Sequence, residues 1–211
     1  MTRLTLFFVG LFITSCSENK TIDTPGNDTV NSKMAPISTS AQTNDTLWIE
    51  SFREFRNAVF QSNKSKAKEY FNFPVLNVNN EIWYLTTDDD LRGDVFITDS
   101  LKPFTEKDFD KFFNKIFPTN FVKAFLKVKT DELYKKGETE TVELTDGKAT
   151  TFKIIASVDK ENKTLELNFA SNTIRKSTNG EILDGGEFNI IYQFHILENK
   201  LIKFQQIRLA G

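Results

Sequence analysis

At Gly137 the spacing of apolar side chains changes, and that change constrains the fold more than any other feature of the chain. Before it, large apolar residues recur three and four positions apart, as in Trp48, Phe52, Phe55 and Val59 and again in Phe109, Phe112, Phe113, Ile116 and Phe117. That is the period of one face of a helix. After it the period becomes two, most strictly in Phe188, Ile190, Tyr192, Phe194 and Ile196, which places one face of a strand against a core. Helices first and strands afterwards give an α+β chain in which N-terminal helices pack on a curved antiparallel sheet.

Local signals divide the chain further. Asn44, Asp45 and Thr46 are candidate caps for the first helix. A second helix is expected over 65–71, closed by Pro74, and extended segments over 81–85 and 94–98, joined as a hairpin through Asp88, Asp89, Asp90 and Gly93. Thr105 followed by Asp108 is a capping box that opens a helix ending at Pro118. Helical segments over 121–128 and 131–136 follow, the latter stopped by Gly137. A hairpin is expected from 139–144 and 151–158 around Asp146-Gly147, because Asp-Gly accepts the positive dihedrals of a tight turn. Further strands are expected over 164–170, 187–197 and 201–209. In the last, Ile202 and Phe204 have one parity and Ile207 and Leu209 the other, so a bulge at Gln205-Gln206 is needed to put all four on one face.

The amino terminus carries a different signal. Arg3 precedes an apolar run over 4–13, and Thr14-Ser15-Cys16 follows, with Cys16 the only cysteine of the chain. About ten apolar residues are too few to cross a hydrocarbon core, which needs about twenty, but they suit the centre of a signal peptide. Ile13, Thr14, Ser15 and Cys16 resemble the lipobox of bacterial lipoproteins. The resemblance implies cleavage before Cys16, diacylation of its sulfur and acylation of the new amino terminus. Residues 1–15 are then a lipoprotein signal peptide and Cys16 the lipidation site. Each acyl chain contributes about 0.8 kcal/mol per buried methylene, so several chains make a stable membrane anchor. Residues 17–46 are rich in Ser, Thr, Asn, Asp and Pro and nearly empty of large apolar groups, so 16–46 reads as a lipidated cysteine and disordered linker. Such a tether reaches about 30 Å. Ser17 after the cysteine, where an aspartate would favour inner-membrane retention, points to a cell-envelope location at the outer membrane, facing the periplasm or the surface.

Residues 47–211 have the length of a single α+β domain and hold nearly all the phenylalanines. With Cys16 acylated, the domain has no thiol for a disulfide, for nucleophilic catalysis or for a thiolate zinc site. His195 is the single histidine, so a histidine-rich metal site is excluded, and neither metal nor cofactor is expected. Basic and acidic residues number 27 and 29 and are interspersed, which leaves no electrostatic footprint for nucleic acid.

Helices, a short hairpin, a further helix and then an antiparallel meander resemble the element order of the NTF2-like superfamily of cone-shaped domains. The residues carrying the likeness are Phe52 and Phe55, the exit Phe71-Asn72-Phe73-Pro74, and the paired strands around Tyr192-Gln193-Phe194 and Lys203-Phe204. The helices between 121 and 136 depart from the simplest version of that fold. The resemblance implies a pocket between sheet and helices, used by some members for ligands, by some for isomerase or dehydratase chemistry and by many for protein contacts. The leading function is a membrane-anchored lipoprotein whose non-catalytic domain binds a protein or small ligand.

Candidate binding residues follow. Tyr192 shares parity with the core residues, whereas His195 has the opposite parity and is placed on the outer or rim face. A polar loop over 172–186 contains Arg175 and Lys176, a place where partners are often met. Asp88 to Asp90 lack the alternating ligand spacing of a calcium loop and read as a solvated turn. Two alternatives stand beside the leading one. An acid-base enzyme would use Tyr192 with a carboxylate in a polar cavity, and a cavity filled by phenylalanine would remove that option. A structural role in envelope assembly would need a large exposed apolar patch.

Overall fold

Helix α1, Leu47–Phe60, opens the fold by burying Ile49, Phe52, Phe55 and Val59 along one side. A computed structural model describes residues 47–86, 102–177, 179, 182–199 and 201–211, all within one unit, Ala41–Gly211. Cys16 and the rest of 1–46, the caps at Asn44 to Thr46, the aspartates 88–90 and the strand expected over 94–98 lie outside the described residues. Helix α2, Lys64–Lys68, is capped by Asn63, whose side chain accepts from Lys66 N at 3.0 Å. It is shorter than the expected 65–71, because Glu69 ends it and the chain then leaves through a cis Phe73–Pro74 peptide.

The strand expected over 81–85 is instead helix α3, Ile82–Thr86. Its aromatic content suggests a strand, but Asn80 Oδ1 accepts from Ile82 N at 3.2 Å and starts a helical turn that buries Ile82 and Leu85, three apart. Helix α4, Glu106–Ile116, has the expected capping box: Thr105 and Asp108 exchange side-chain and backbone bonds. Pro118 both stops α4 and starts helix α5, Thr119–Phe125, which begins two residues earlier than expected. Helix α6, Thr130–Lys136, ends at Gly137, whose φ of 83° is the left-handed stop that glycine accepts without strain.

The strands are β1, Glu138–Glu140; β2, Leu144–Thr145; β3, Thr150–Asp159; β4, Thr164–Lys176; β5, Ile182–Ile196; and β6, Ile202–Ala210. They form one antiparallel six-stranded sheet, ordered β1-β3-β4-β5-β6 with β2 also on β3, and it does not close. The single strand expected over 139–144 is broken, since Thr141 Oγ1 takes the Ile154 amide at 3.0 Å in place of a further strand pair. The Asp146-Gly147 turn has the expected positive φ, 78° at Gly147, and Asp146 Oδ1 accepts from Lys148 N and Thr150 N.

Register brings the core residues into rows. Ile154, Phe169, Ile190 and Leu209 face one another across four strands, as do Ala156, Leu167, Tyr192 and Ile207, and Val158, Leu165, Phe194 and Phe204. The β5–β6 register shifts between Gln193 and Phe194, whose partners are Gln206 and Phe204, so Gln205 is the extra residue. This is the bulge that the parity change demands. Between the rows and the helices the core is largely aromatic. Phe55 lies within 6.5 Å of the ring centroids of Tyr70, Phe71, Phe117, Phe125 and Phe194.

Strand β6 is an open edge with its outward amides occupied. Ile202 N donates to Ser51 Oγ at 3.2 Å, Phe204 N to Tyr70 O at 2.7 Å, Ile207 N to Asn80 Oδ1 at 3.1 Å, and Leu209 N to the Glu81 carboxylate. Loops and side chains thus stand where another strand would, which removes the template for edge-to-edge pairing.

Candidate functional site

A groove of about 580 Å³ lies at the end of the sheet where β3 passes into β4 and β5 leaves for β6. Two helices and the ends of the strands with their turns supply it. The first turn of α1 contributes Trp48, the end of α6 contributes Leu133, Tyr134 and Lys135, and the strand ends contribute Val158, Lys160, Lys163, Ile196 and Glu198. Each residue is there for a local reason. Leu133 is fully buried and Tyr134 follows it out of the core, with its ring 6.2 Å from that of Trp48 at 41°. The left-handed Gly137 lets the chain reverse onto β3, where Val158 N donates to Gly137 O at 2.7 Å.

The turn from β3 to β4 fixes the two lysines it carries. Asp159 Oδ1 accepts from Glu161 N at 2.9 Å and Asn162 N at 3.0 Å, and its Oδ2 accepts from Asn162 Nδ2 at 2.7 Å. These bonds, Asn162 N first, hold the Asp159 carboxyl below the usual aspartate range. Lys163 adopts a φ of 51°, and its carbonyl accepts from Ile196 N at 2.7 Å, which ties the turn to β5. Nearby charges are otherwise engaged. Glu132 is bonded to Lys136 at 2.7 Å and lies 3.6 Å from Lys129, and the Lys136 bond foremost holds its carboxyl below the ordinary range.

The residues singled out in the sequence lie elsewhere. Tyr192 is fully buried, and its hydroxyl donates to Ile116 O at 2.5 Å. Phe117 and Phe121 lie against its ring at 5.9 and 4.5 Å, so the space around it is phenylalanine rather than a polar cavity. Burial pushes its phenol far above the ordinary value. Among the groove's lining residues Tyr192 is absent.

The loop expected over 172–186 is mostly a two-stranded ribbon, in which Arg175 pairs with Leu183 and Lys176 with Ile182. Thr173 and Ile174 extend the strand, and Ile174 N donates to Ala149 O at 2.8 Å, which explains why pairing continues past the polar residues. The side chains of Arg175 and Lys176 lie outside the described residues. Arg175 is eight residues from Leu167, the partner of Tyr192, which is about 26 Å along the strand, so the sheet does not bring them together. His195 has the opposite parity to the core, opposite Thr164 and Lys203, and is half-buried.

The groove itself was not among the sequence candidates. Trp48 and Tyr134 read as members of amphipathic helices, and the lysines as turn residues. Their convergence depends on the β3–β4 and β5–β6 turns ending at the same level, a property of register. Among the described residues no group of histidine, cysteine and carboxylate side chains could hold a metal ion, and no helix is long and apolar enough to cross a membrane. No protein-family model, curated protein or solved structure matches the chain. Fold and groove define it as an open antiparallel α+β protein with an external groove whose floor is apolar and whose rim is basic.

Proposed function

We propose that the chain is an exported lipoprotein, held at a membrane of the cell envelope through an acylated Cys16, whose domain binds a small ligand without transforming it. The observation that carries the binding reading is the groove: about 580 Å³ of concave surface that combines Trp48, Tyr134 and aliphatic side chains with a few convergent polar groups. That is the size and composition in which small molecules are held. The anchor is supported by the apolar run over 4–13 ending at the single cysteine. An NTF2-like cone is supported by helices preceding a bulged antiparallel sheet. In this chain the interior between sheet and helices is packed with aromatic rings, so the ligand site is the external groove. Tyr192, with its hydroxyl committed to Ile116 O, is a packing residue in this reading.

Cell fractionation tests the anchor. The natural chain is expected in the membrane fraction and the Cys16→Ala variant in the soluble fraction; membrane retention of the variant would overturn lipidation as the attachment.

A further inference from the structure

The lining of the groove narrows the chemistry of its occupant. We infer that the groove takes an amphipathic anion, a single molecule in which a carboxylate or phosphate head is joined to an apolar body. This deepens the reading of the groove as a ligand site and rests on it.

Charge is the first argument. Lys135, Lys160 and Lys163 line the groove against one acid, Glu198. Among the described residues none forms an ion pair with those three lysines. Lysines nearby behave differently: Lys136, one residue from Lys135, is paired with Glu132 at 2.7 Å, and Lys153 on the same strand as Val158 is paired with Glu140 at 2.6 Å. Two carboxylates flank Lys160 in sequence, Asp159 and Glu161. Asp159 is occupied by the turn's own amides, and Glu161 is exposed and does not line the groove. Three lysines around one concavity against a single acid, and in no ion pair among the described residues, leave an excess of positive charge that favours an anion.

Hydrogen-bonding capacity points the same way. Trp48 contributes an indole N–H, which can only donate, and neither it nor the Tyr134 hydroxyl is taken up by another described residue. The groove thus offers donors in excess of acceptors. Its floor gives the other half of the ligand: Leu133, Val158 and Ile196 are aliphatic, and the tilted Trp48–Tyr134 pair walls one side. A purely ionic ligand would leave that surface wet, and a purely apolar one would leave the lysines unanswered. The bonds from Asp159 and Lys163 hold the turn in place before any ligand arrives, which lowers the ordering cost of binding. Concavity suits one molecule rather than a flat bilayer.

Isothermal titration of the purified full chain with three probes of equal chain length, each below its micelle concentration, tests this. Dodecanoate is expected to bind at one site, with dodecanol and dodecyltrimethylammonium each at least about tenfold weaker, the loss of one charge-assisted contact. In a chain carrying K135Q, K160Q and K163Q the preference for dodecanoate over dodecanol is expected to vanish while dodecanol still binds. Equal affinity for dodecanoate and dodecanol, or an unchanged preference in the triple variant, would overturn the anionic assignment and leave the groove a ligand site. Absence of binding by all three probes, or dodecanoate binding unaltered by Trp48→Ala, would overturn the groove reading itself. The lysines are exposed, so the triple variant is expected to remain folded, checked by an unchanged melting temperature.

Discussion

Tyr192 shows how one polar atom is accommodated inside an aromatic core. Its ring belongs to the row of Ala156, Leu167 and Ile207, and its hydroxyl meets the carbonyl of Ile116, the last residue of α4. A helix-end carbonyl has no intrahelical partner, so this bond satisfies both groups at once. Tyr192→Phe is expected to cost about 1 to 2 kcal/mol, because it leaves a buried carbonyl without a donor. The pH dependence follows from burial. The phenol is raised above its ordinary value of 10.0 in the folded chain, so the unfolded chain loses this proton first as pH rises. Stability contributed by the neutral phenol is complete below pH 10 and falls as pH climbs beyond it. Urea unfolding of the natural chain and the Phe variant at about pH 8 and about pH 11 checks this: the gap between them is expected to narrow at the higher pH, and a constant gap would show that Tyr192 titrates normally. The inward direction of Tyr192 was legible from alternation alone. Its acceptor was not, since Ile116 is 76 residues away and meets it only through packing.

Among the elements, the edge of β6 depends on a segment that forms no strand. Asn80 is the centre of this arrangement: its Oδ1 accepts from Ile82 N at 3.2 Å and Ile207 N at 3.1 Å, and its Nδ2 donates to Leu76 O at 3.0 Å. One side chain thus starts α3 and finishes β6. Asn80→Ala is expected to destabilise the chain by about 3 kcal/mol, since it strands two buried amides and a carbonyl. Asn80→Asp keeps both acceptor contacts but loses the Leu76 bond and buries a carboxyl group, and is expected to cost about 2 kcal/mol. Amide exchange at Ile207 reads the mechanism directly: it should quicken in the Ala variant far more than in the Asp variant, and equal exchange in both would assign the edge to backbone packing instead. Sequence periodicity saw half of this design. The bulge at Gln205 was legible because four apolar residues change parity across it. The helix at Ile82–Thr86 was not, because five residues are too few to separate a helical period from an aromatic strand. Likewise the ribbon beyond Asn172 looked like a loop because polar residues and glycines far outnumber Ile174, Ile182 and Leu183 and leave no alternating apolar face, so that only pairing reveals the strands.

At the scale of the whole molecule, stability comes from joining the helical layer to the sheet through aromatic rings, in a domain that has no cysteine beyond Cys16 to staple it. The class of fold was legible from the period change at Gly137, because burial of one face per element leaves its mark in the sequence. The groove was not, because it forms where turns from distant positions end at the same level and no local pattern records that. The aromatic junction makes a test of the whole arrangement. Phe55 projects from α1 and touches rings from the segment after α2 (Tyr70, Phe71), from the end of α4 (Phe117), from α5 (Phe125) and from β5 (Phe194). Removing it separates layers rather than loosening one helix. Phe55→Ala is expected to cost about 3 to 5 kcal/mol, a large share of the roughly 5 to 15 kcal/mol that stabilises a typical domain. Phe55→Leu keeps most of the volume and loses the ring contacts, for about 1.5 kcal/mol. Phe60, on the same helix but 55% exposed, is the control, and Phe60→Ala is expected to change stability by no more than about 0.5 kcal/mol. Urea denaturation followed by both tryptophan fluorescence and far-ultraviolet circular dichroism gives the answer. If Phe55 joins the layers, the two signals stay coincident and their midpoint falls in the order Phe60→Ala, Phe55→Leu, Phe55→Ala; a Phe55→Ala chain whose sheet signal outlasts its tryptophan signal would show that helices and sheet are stabilised separately.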